Sequence, residues 1–193
     1  SLQKGFQMAI SPYLEEKVAR RQKWDIEKLA EGVQKGDIAT LSKAITLLES
    51  QLVDDITFQK RLLQIIKPPS KSTKRIAISG IPGVGKSTFI ESLGLEILKL
   101  EPDSKIAVLT IDPTSTVRNG SILGDKTRMS NLSNHKRAYV RPSPTGGNLG
   151  GVTLTTRNII TLCESAGFDN LIIETVGVGQ TEIGAYYMTD CFV

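Results

Sequence analysis

Cysteine and histidine are scarce in this sequence of 193 residues. It contains two cysteines and one histidine, and Cys163 and Cys191 lie too far apart to form a Cys-x-x-Cys pair. A disulfide framework or a cysteine-based metal site is therefore not expected, because both need several cysteines at short, regular spacings. We expect both cysteines to be buried as small hydrophobic residues.

Long hydrophobic runs are also missing. No stretch approaches the roughly 18 to 20 uninterrupted apolar residues of a membrane helix. The first thirty residues do not show the apolar segment and small-residue cleavage site of a signal peptide. We therefore expect no membrane association and a cytoplasmic location, or the mitochondrial matrix if the source is a eukaryote.

The excess of positive charge is confined to the front of the chain. Residues 1–75 contain 14 Lys and Arg against 9 Asp and Glu, whereas residues 76–193 contain 10 against 11. Neither interleaved aromatic residues nor an RNA-binding signature nor zinc-ligand spacing accompanies the basic part. The charges are thus typical of a solvated helical face, and we expect no nucleic-acid partner.

The hydrophobic pattern divides the chain into two parts. Apolar residues recur at three- and four-residue steps through residues 11–66, which predicts helices, with a helix stop at Gly36 and an N-cap at Asp37. Residues 67–72 contain a Pro-Pro pair and predict a linker. We therefore predict a helical N-terminal segment with its linker over residues 1–70 and a nucleotide-binding domain over residues 71–193.

Short apolar runs alternate with helical stretches after the linker. The runs at 75–79, 106–111 and 171–173 predict buried strands, and residues 86–100 and 152–166 predict helices. Such alternation is typical of parallel βαβ units, so we predict an α/β fold with a doubly wound, mainly parallel sheet.

A complete phosphate-loop pattern lies between the first predicted strand and the first predicted helix of this domain, which is the context that the motif requires. Its residues are Gly80, Ile81, Pro82, Gly83, Val84, Gly85, Lys86 and Ser87. Backbone N–H groups and the helix N-terminus bind phosphates in such a loop. Lys86 is expected to reach the β and γ phosphates, Ser87 to bind Mg²⁺, and Thr88 to contact the α phosphate.

Acidic residues follow the loop at positions suited to a metal. Asp112 ends a predicted strand, at the sheet edge where ligands bind, and it is a candidate for holding Mg²⁺ or a metal-bound water. The alternative for Asp112 is an ordinary aspartate that ends a strand and begins a turn. Asp125 lies between a glycine and two cations in a run that is unspecific by itself.

The end of the third predicted strand and the residues after it indicate a nucleotide switch. Glu174 ends it at the position where an aspartate is more usual, and Gly177 follows as a candidate γ-phosphate sensor through its N–H group. The residue after Gly177 is a valine rather than a water-positioning glutamine, so intrinsic hydrolysis should be slow. Gln180 supplies that contact in one interpretation and is a surface glutamine in the other. Lys86, Asp112 and Gln180 are the candidate catalytic residues.

Five blocks beyond the loop, in this order and spacing, resemble the MeaB/ArgK/MMAA family of GTPases. They are LTIDPTS at 109–115, GSILGDKTRM at 120–129, RPSP at 141–144, LGGV at 149–152 and ETVGVGQ at 174–180. The helix containing AITLLES at 44–50 is similar to the one that precedes the GTPase domain in that family. By position, the resemblance implies that Asp112, Asp125 and Glu174 form the carboxylate set near the metal.

The resemblance implies a function that composition and spacing do not. It implies a GTPase of the SIMIBI type that binds GTP or GDP with Mg²⁺, associates with methylmalonyl-CoA mutase or a related B12-dependent mutase, gates loading of adenosylcobalamin and protects the mutase. A homodimer is implied for the full-length protein. The guanine-reading segment of the family would lie after Val193, so we expect a C-terminally truncated chain whose G domain is incomplete.

Proteins with other functions contain the same type of phosphate loop. A nickel-insertion GTPase is one alternative, although such proteins commonly carry His- or Cys-rich sites and this sequence has His135 and two separated cysteines. An ATP-dependent kinase linked to basic amino acid transport is another, with Lys126, Arg128 and Arg137 as lid cations. A non-enzymatic scaffold is the least favoured, because an idle site would be free to lose its lysine, serine and acids together.

Overall fold

The computed structural model describes residues 24–69, 71–112, 129–144, 149–175, 177 and 180–193. Helices and parallel strands alternate through most of this part of the chain. The helices are α1 Ile26–Gln34, α2 Ile38–Glu49, α3 Val53–Ile65, α4 Lys86–Leu100, α5 Ser130–Ser133, α6 Leu149–Ser165 and α7 Gln180–Tyr186. The strands are β1 Lys74–Ile78, β2 Ile106–Asp112, β3 Ala138–Pro144, β4 Asn170–Thr175 and β5 Cys191–Phe192.

The strands form one parallel sheet with the order β3-β2-β4-β1-β5 in the described residues. Every residue of β4 is buried, as expected for a strand covered on both faces. Alternate residues of the central strands enter two separate hydrophobic clusters, one on each side of the sheet. These features confirm the predicted α/β fold, a doubly wound parallel sheet preceded by helices.

The order of the strands determines which segments meet at the carboxyl edge. Because β1 lies between β4 and β5, the loop that follows β1 is close to the segment that follows β4. Because β2 lies on the other side of β4, Thr110 of β2 is in register with Glu174 of β4. The phosphate loop and the predicted acids therefore follow neighbouring strands, as ligand sites in open α/β sheets do.

The boundary between helices α1 and α2 lies where the polar pattern predicts. Asp37 caps α2 by accepting a hydrogen bond from the Thr40 N–H at 2.7 Å, and Gly36 has a φ of 74° after the end of α1. Helix α2 packs on strand β3, where Ser42 and Tyr139 are hydrogen-bonded at 3.1 Å. The domain boundary near residue 70 stays a prediction.

Helix α2 and strand β3 are also joined by an ion pair. Arg141 donates from Nη2 to the Glu49 carboxylate at 2.5 Å, and the two side chains are only 21% and 10% exposed. Arg141 also donates to the Thr46 hydroxyl at 3.2 Å. Ser42, Thr46 and Glu49 recur at helical spacing along α2, so one stripe of that helix is fixed to β3.

The structure contains one strand that the hydrophobic pattern does not predict, and it corrects one expectation. Strand β3 contains Pro142 and Pro144, which are unusual in strands but are tolerated at a sheet edge, and β3 is at an edge of the sheet that the described residues form. Cys163 is buried as expected, but Cys191 is exposed, because it belongs to the short strand β5 at the opposite edge. Within the described residues, every helix is too short or too polar to cross a lipid bilayer.

Candidate nucleotide-binding site

The segment between β1 and α4 turns at three glycines. Their φ angles are 150° at Gly80, 83° at Gly83 and 100° at Gly85, values that residues with a Cβ atom rarely adopt. Gly85 is also the N-cap of α4, so the helix begins at Lys86 directly after the loop. The first N–H groups of α4 have no acceptor within the helix, and its N-terminus favours a bound anion.

The lysine of the motif lies across its own loop. The Lys86 ammonium donates to the Gly80 carbonyl oxygen at 2.6 Å and to the Ile81 carbonyl oxygen at 3.1 Å. An ammonium has three donors, so these two bonds hold its position and leave one N–H for another acceptor. The side chains of Ile81 and Val84 are 68% and 62% exposed, and Pro82 is also exposed, which leaves the outer side of the loop open.

Two of the predicted metal-binding residues lie together at the start of α4. The Ser87 hydroxyl donates to Oε1 of Glu174 at 3.1 Å, although the residues are 87 positions apart in the chain. Glu174 is only 8% exposed and lies one residue before the end of β4. A hydroxyl and a carboxylate are the hard oxygen donors that Mg²⁺ prefers. Thr88, on the next position of α4, is exposed.

Of the other two predicted metal-binding acids, Asp112 and Asp125, only the backbone of Asp112 is described. Asp112 is the last residue of β2 and pairs in register with Pro144, two residues beyond the pair of Thr110 and Glu174. Its side chain and the whole of Asp125 lie outside the described residues. Clusters of three or more His, Cys, Asp or Glu side chains suited to a metal are absent from the part of the chain that is described. The full carboxylate set thus stays a prediction.

The candidate γ-phosphate sensor touches the phosphate loop directly. Gly177 has a φ of 70°, and a Cβ atom added to it would lie 2.7 Å from the Gly80 carbonyl carbon and 3.1 Å from the Ile81 nitrogen. Real Cβ atoms essentially never come as close as the first of these distances, and the second is tighter than most Cβ contacts. Glycine at 177 therefore permits both the backbone angle and the contact between the two segments. Gln180 begins α7, and its side chain lies outside the described residues.

Two further residues at this site, Ser79 and Glu182, belong to no sequence motif. The Ser79 hydroxyl, one residue before the loop, donates to Oε1 of Glu182 in the first turn of α7. The Ser79 N–H donates to the carbonyl oxygen of Val193 at 2.8 Å, so backbone and side chain are both held. An acid in the first turn of a helix is common, and only the strand order brings Glu182 to Ser79.

The parallel sheet, the glycine loop and the helix that starts at Lys86 define a P-loop nucleotide-binding protein of the α/β class. Residues 41–193 match the family model described as methylmalonyl Co-A mutase-associated GTPase MeaB. The chain belongs to this family.

Named relatives agree with the family. A Mycobacterium tuberculosis protein with the name probable GTPase is 51% identical over 168 residues, which are 87% of this chain and 49% of that protein. A Mus musculus protein named methylmalonic aciduria type A homolog, mitochondrial, is 44% identical over an alignment of 178 residues that covers 87% of this chain and 42% of that protein. This chain therefore spans about half the length of the curated relatives that it matches.

A solved structure agrees with the fold. The crystal structure described as LAO/AO transport system kinase has a TM-score of 0.68 and 34% sequence identity, and the match covers 86% of this chain and 48% of that one. The similarity supports the assignment of the chain as part of a P-loop nucleotide-binding unit.

Proposed function

We propose that this protein binds GTP with Mg²⁺, hydrolyses it slowly, and uses the cycle to regulate a B12-dependent mutase. The observation that carries the proposal is the arrangement of Lys86 across the carbonyls of a glycine loop, beside the hydrogen-bonded pair of Ser87 and Glu174. Membership of a family of GTPases supports the same reaction.

In the proposed reaction, water attacks the γ phosphate in line with the leaving oxygen. The loop N–H groups and the remaining N–H of Lys86 stabilise the negative charge on the phosphate oxygens in the transition state. The existing bonds of Lys86 to Gly80 and Ile81 matter because they fix the ammonium before a ligand arrives. A donor fixed in advance requires little reorganisation during the reaction.

The residues present fit a magnesium ion. The Ser87 hydroxyl and the Glu174 carboxylate are adjacent oxygen donors, and Asp112 and Asp125 would complete the set. When bound, Mg²⁺ neutralises charge on the phosphate oxygens. Glu174 also holds the Ser87 hydroxyl in place, which orients that oxygen for its role as a ligand.

Gly177 would report which nucleotide is bound. Its N–H group would donate to a γ phosphate, and loss of that bond on hydrolysis would release Gly177 and the segment from Asp112 to Met129. Gln180, or a residue of a partner protein, would position the attacking water. Turnover would therefore be slow until the partner binds.

The partner that we propose is methylmalonyl-CoA mutase or a related B12-dependent mutase, for which the protein would gate loading of adenosylcobalamin and give protection from inactivation. The description of the family model supports this partner. We further propose a homodimer for the full-length protein, which light scattering measures directly. A monomer at micromolar concentration would contradict the proposed dimer but not the proposed GTPase activity.

The first test replaces Lys86. At the protein's full natural length, Lys86→Ala should lower GTP affinity or turnover by more than about tenfold, because the ammonium stabilises phosphate charge. Lys99→Ala is the matched control, since Lys99 is on the same helix and forms an exposed pair with Glu96. Normal turnover in Lys86→Ala, or a wild-type protein that neither hydrolyses GTP nor responds to the mutase, would contradict the proposal.

The second test concerns the metal. Ser87→Ala removes one proposed ligand, so the Mg²⁺ concentration at half-maximal turnover should rise by about tenfold or more. Ser92→Ala is the control, because the Ser92 hydroxyl donates to the Thr88 carbonyl oxygen on the same helix. An unchanged magnesium titration in Ser87→Ala would refute the ligand assignment.

A second function has one observation in its favour. The similar crystal structure is described as a kinase of a transport system, so phosphoryl transfer from ATP to a protein is a competing reaction. Radiolabelled ATP and GTP, offered with a basic amino acid-binding protein, separate the two. Transfer that disappears in Lys86→Ala would favour the kinase, and release of inorganic phosphate from GTP alone would favour the GTPase.

A further inference from the structure

Two residues that follow strand β4, Gly177 and Glu182, both touch the beginning of the phosphate loop. Gly177 packs on the backbone of Gly80 and Ile81. Glu182 accepts a hydrogen bond from the hydroxyl of Ser79, the residue before Gly80. Two adjacent residues at the beginning of the loop, Ser79 and Gly80, are thus contacted by residues that follow a different strand.

The backbone of Ser79 is fixed independently of Glu182. Its N–H donates to the Val193 carbonyl oxygen at 2.8 Å, and the Val193 N–H donates to the Ala77 carbonyl oxygen at 2.9 Å. These bonds extend the pairing of β1 with β5. The Ser79 hydroxyl is therefore presented to α7 from a stable position, and its bond to Glu182 constrains α7 more than it constrains β1.

Gly80 also connects these contacts to Lys86. The carbonyl group of Gly80 accepts a hydrogen bond from the Lys86 ammonium at 2.6 Å and also lies close to Gly177. A shift of α7 that moves Gly177 therefore acts on an acceptor of Lys86. Glu182 is the residue of α7 whose side chain is bonded to the loop segment in the described part of the chain.

We propose that Glu182 is a positioning residue for GTP hydrolysis. Through Ser79 it holds the start of α7 against the phosphate loop, which keeps Gly177 on Gly80, where its N–H can distinguish GTP from GDP. The inference rests on the proposed GTPase function. Glu182 touches neither phosphate nor metal in this role, so its loss affects turnover and nucleotide discrimination rather than binding of GDP.

The test uses the protein at its full natural length. In Glu182→Ala and in Ser79→Ala, kcat falls about tenfold, equivalent to about 1.4 kcal/mol, and the preference for a non-hydrolysable GTP analogue over GDP falls by a similar factor. GDP affinity and the melting temperature stay at wild-type values. In the double variant kcat and the nucleotide preference fall no further than in either single variant, because each single substitution already removes the same hydrogen bond.

Conservative variants and a control separate positioning from general damage. Glu182→Gln keeps a side-chain acceptor and Ser79→Thr keeps a hydroxyl donor, so each recovers most of the lost kcat. Glu96→Ala removes an exposed acid on α4 that pairs with Lys99 and behaves as wild type. Recovery in the conservative variants is a result that a bulk structural effect does not produce.

Three outcomes overturn the inference. They are wild-type kcat and discrimination in both alanine variants, additive losses in the double variant, and a loss of GDP affinity and melting temperature that parallels the loss of kcat. If the wild-type protein itself does not hydrolyse GTP, the proposed function fails and this inference fails with it. Alanine variants that match an active wild type refute the inference alone.

Discussion

Gly177→Ala tests the contact between the switch segment and the phosphate loop. Alanine at a φ of 70° costs roughly 1 to 2 kcal/mol in backbone strain. The added Cβ atom would also lie 2.7 Å from the Gly80 carbonyl carbon, and neither neighbour is a flexible side chain that can move aside. Overpacking of this kind costs about 1 to 3 kcal/mol more. The two segments must therefore separate, or the loop must change shape.

The structure offers a control that isolates the steric part. Gly167 has a φ of 81°, and a Cβ atom added there would meet no atom of the described residues within 4 Å. Gly167→Ala should thus lose roughly 1 to 2 kcal/mol of stability with unchanged nucleotide affinity. Gly177→Ala should lower the affinity for a GTP analogue by at least about tenfold, because the displaced loop contains the phosphate-binding groups.

Titration with fluorescent GTP and GDP analogues, together with thermal denaturation, measures both effects. Gly177→Ala is expected to lose more affinity for the triphosphate than its loss of stability accounts for. Wild-type affinity in Gly177→Ala would show that the contact with Gly80 does not shape the site. An equal loss of affinity in Gly167→Ala would show that backbone strain anywhere in the domain has the same result.

Two further predictions concern the rest of the chain. Burial raises the pKa of the Cys163 thiol to about 12, so this thiol stays protonated and unreactive through the alkaline range while the protein is folded. A thiol reagent should label only the exposed Cys191 before denaturation and both cysteines afterwards. Rapid labelling of both cysteines in the folded protein would contradict the burial of Cys163. Glu49→Ala leaves the half-buried guanidinium of Arg141 without its carboxylate, so the free energy of unfolding measured by chemical denaturation should fall by roughly 3 kcal/mol. Glu27→Ala, at an exposed ion pair, should lower it by less than about 1 kcal/mol. Equal losses in the two variants would show that the ion pair between α2 and β3 contributes little.

The phosphate loop is predictable from sequence because its requirements are local. Three glycines fill backbone positions with positive φ, and the helix after them begins at Lys86 and ends at Leu100, as the pattern of apolar residues indicates. The caps of the first helices are predictable for the same reason. Each depends on a few neighbouring residues and on the preference of a side chain for one backbone angle.

The contacts that shape the site are not local, so the sequence pattern does not contain them. Ser79 and Glu182 are 103 positions apart, and their contact follows from the position of β1 between β4 and β5. Periodicity identifies strands but gives no order for them. Strand β3 is harder still, because its prolines argue against a strand and only its place at an edge of the described sheet permits them.

Three polar side chains at the mouth of the loop have protein partners that fix their positions. Lys86 is bonded to two loop carbonyls, Ser87 to Glu174, and Ser79 to Glu182. Groups held in this way lose little side-chain entropy when a ligand binds, so more of their interaction energy contributes to affinity. The partners therefore divide by role: Glu174 is both a proposed ligand and a support, whereas Glu182 acts only through the shape of the loop. Replacing Glu182 should consequently change turnover while the magnesium requirement stays the same, and replacing Glu174 should change both.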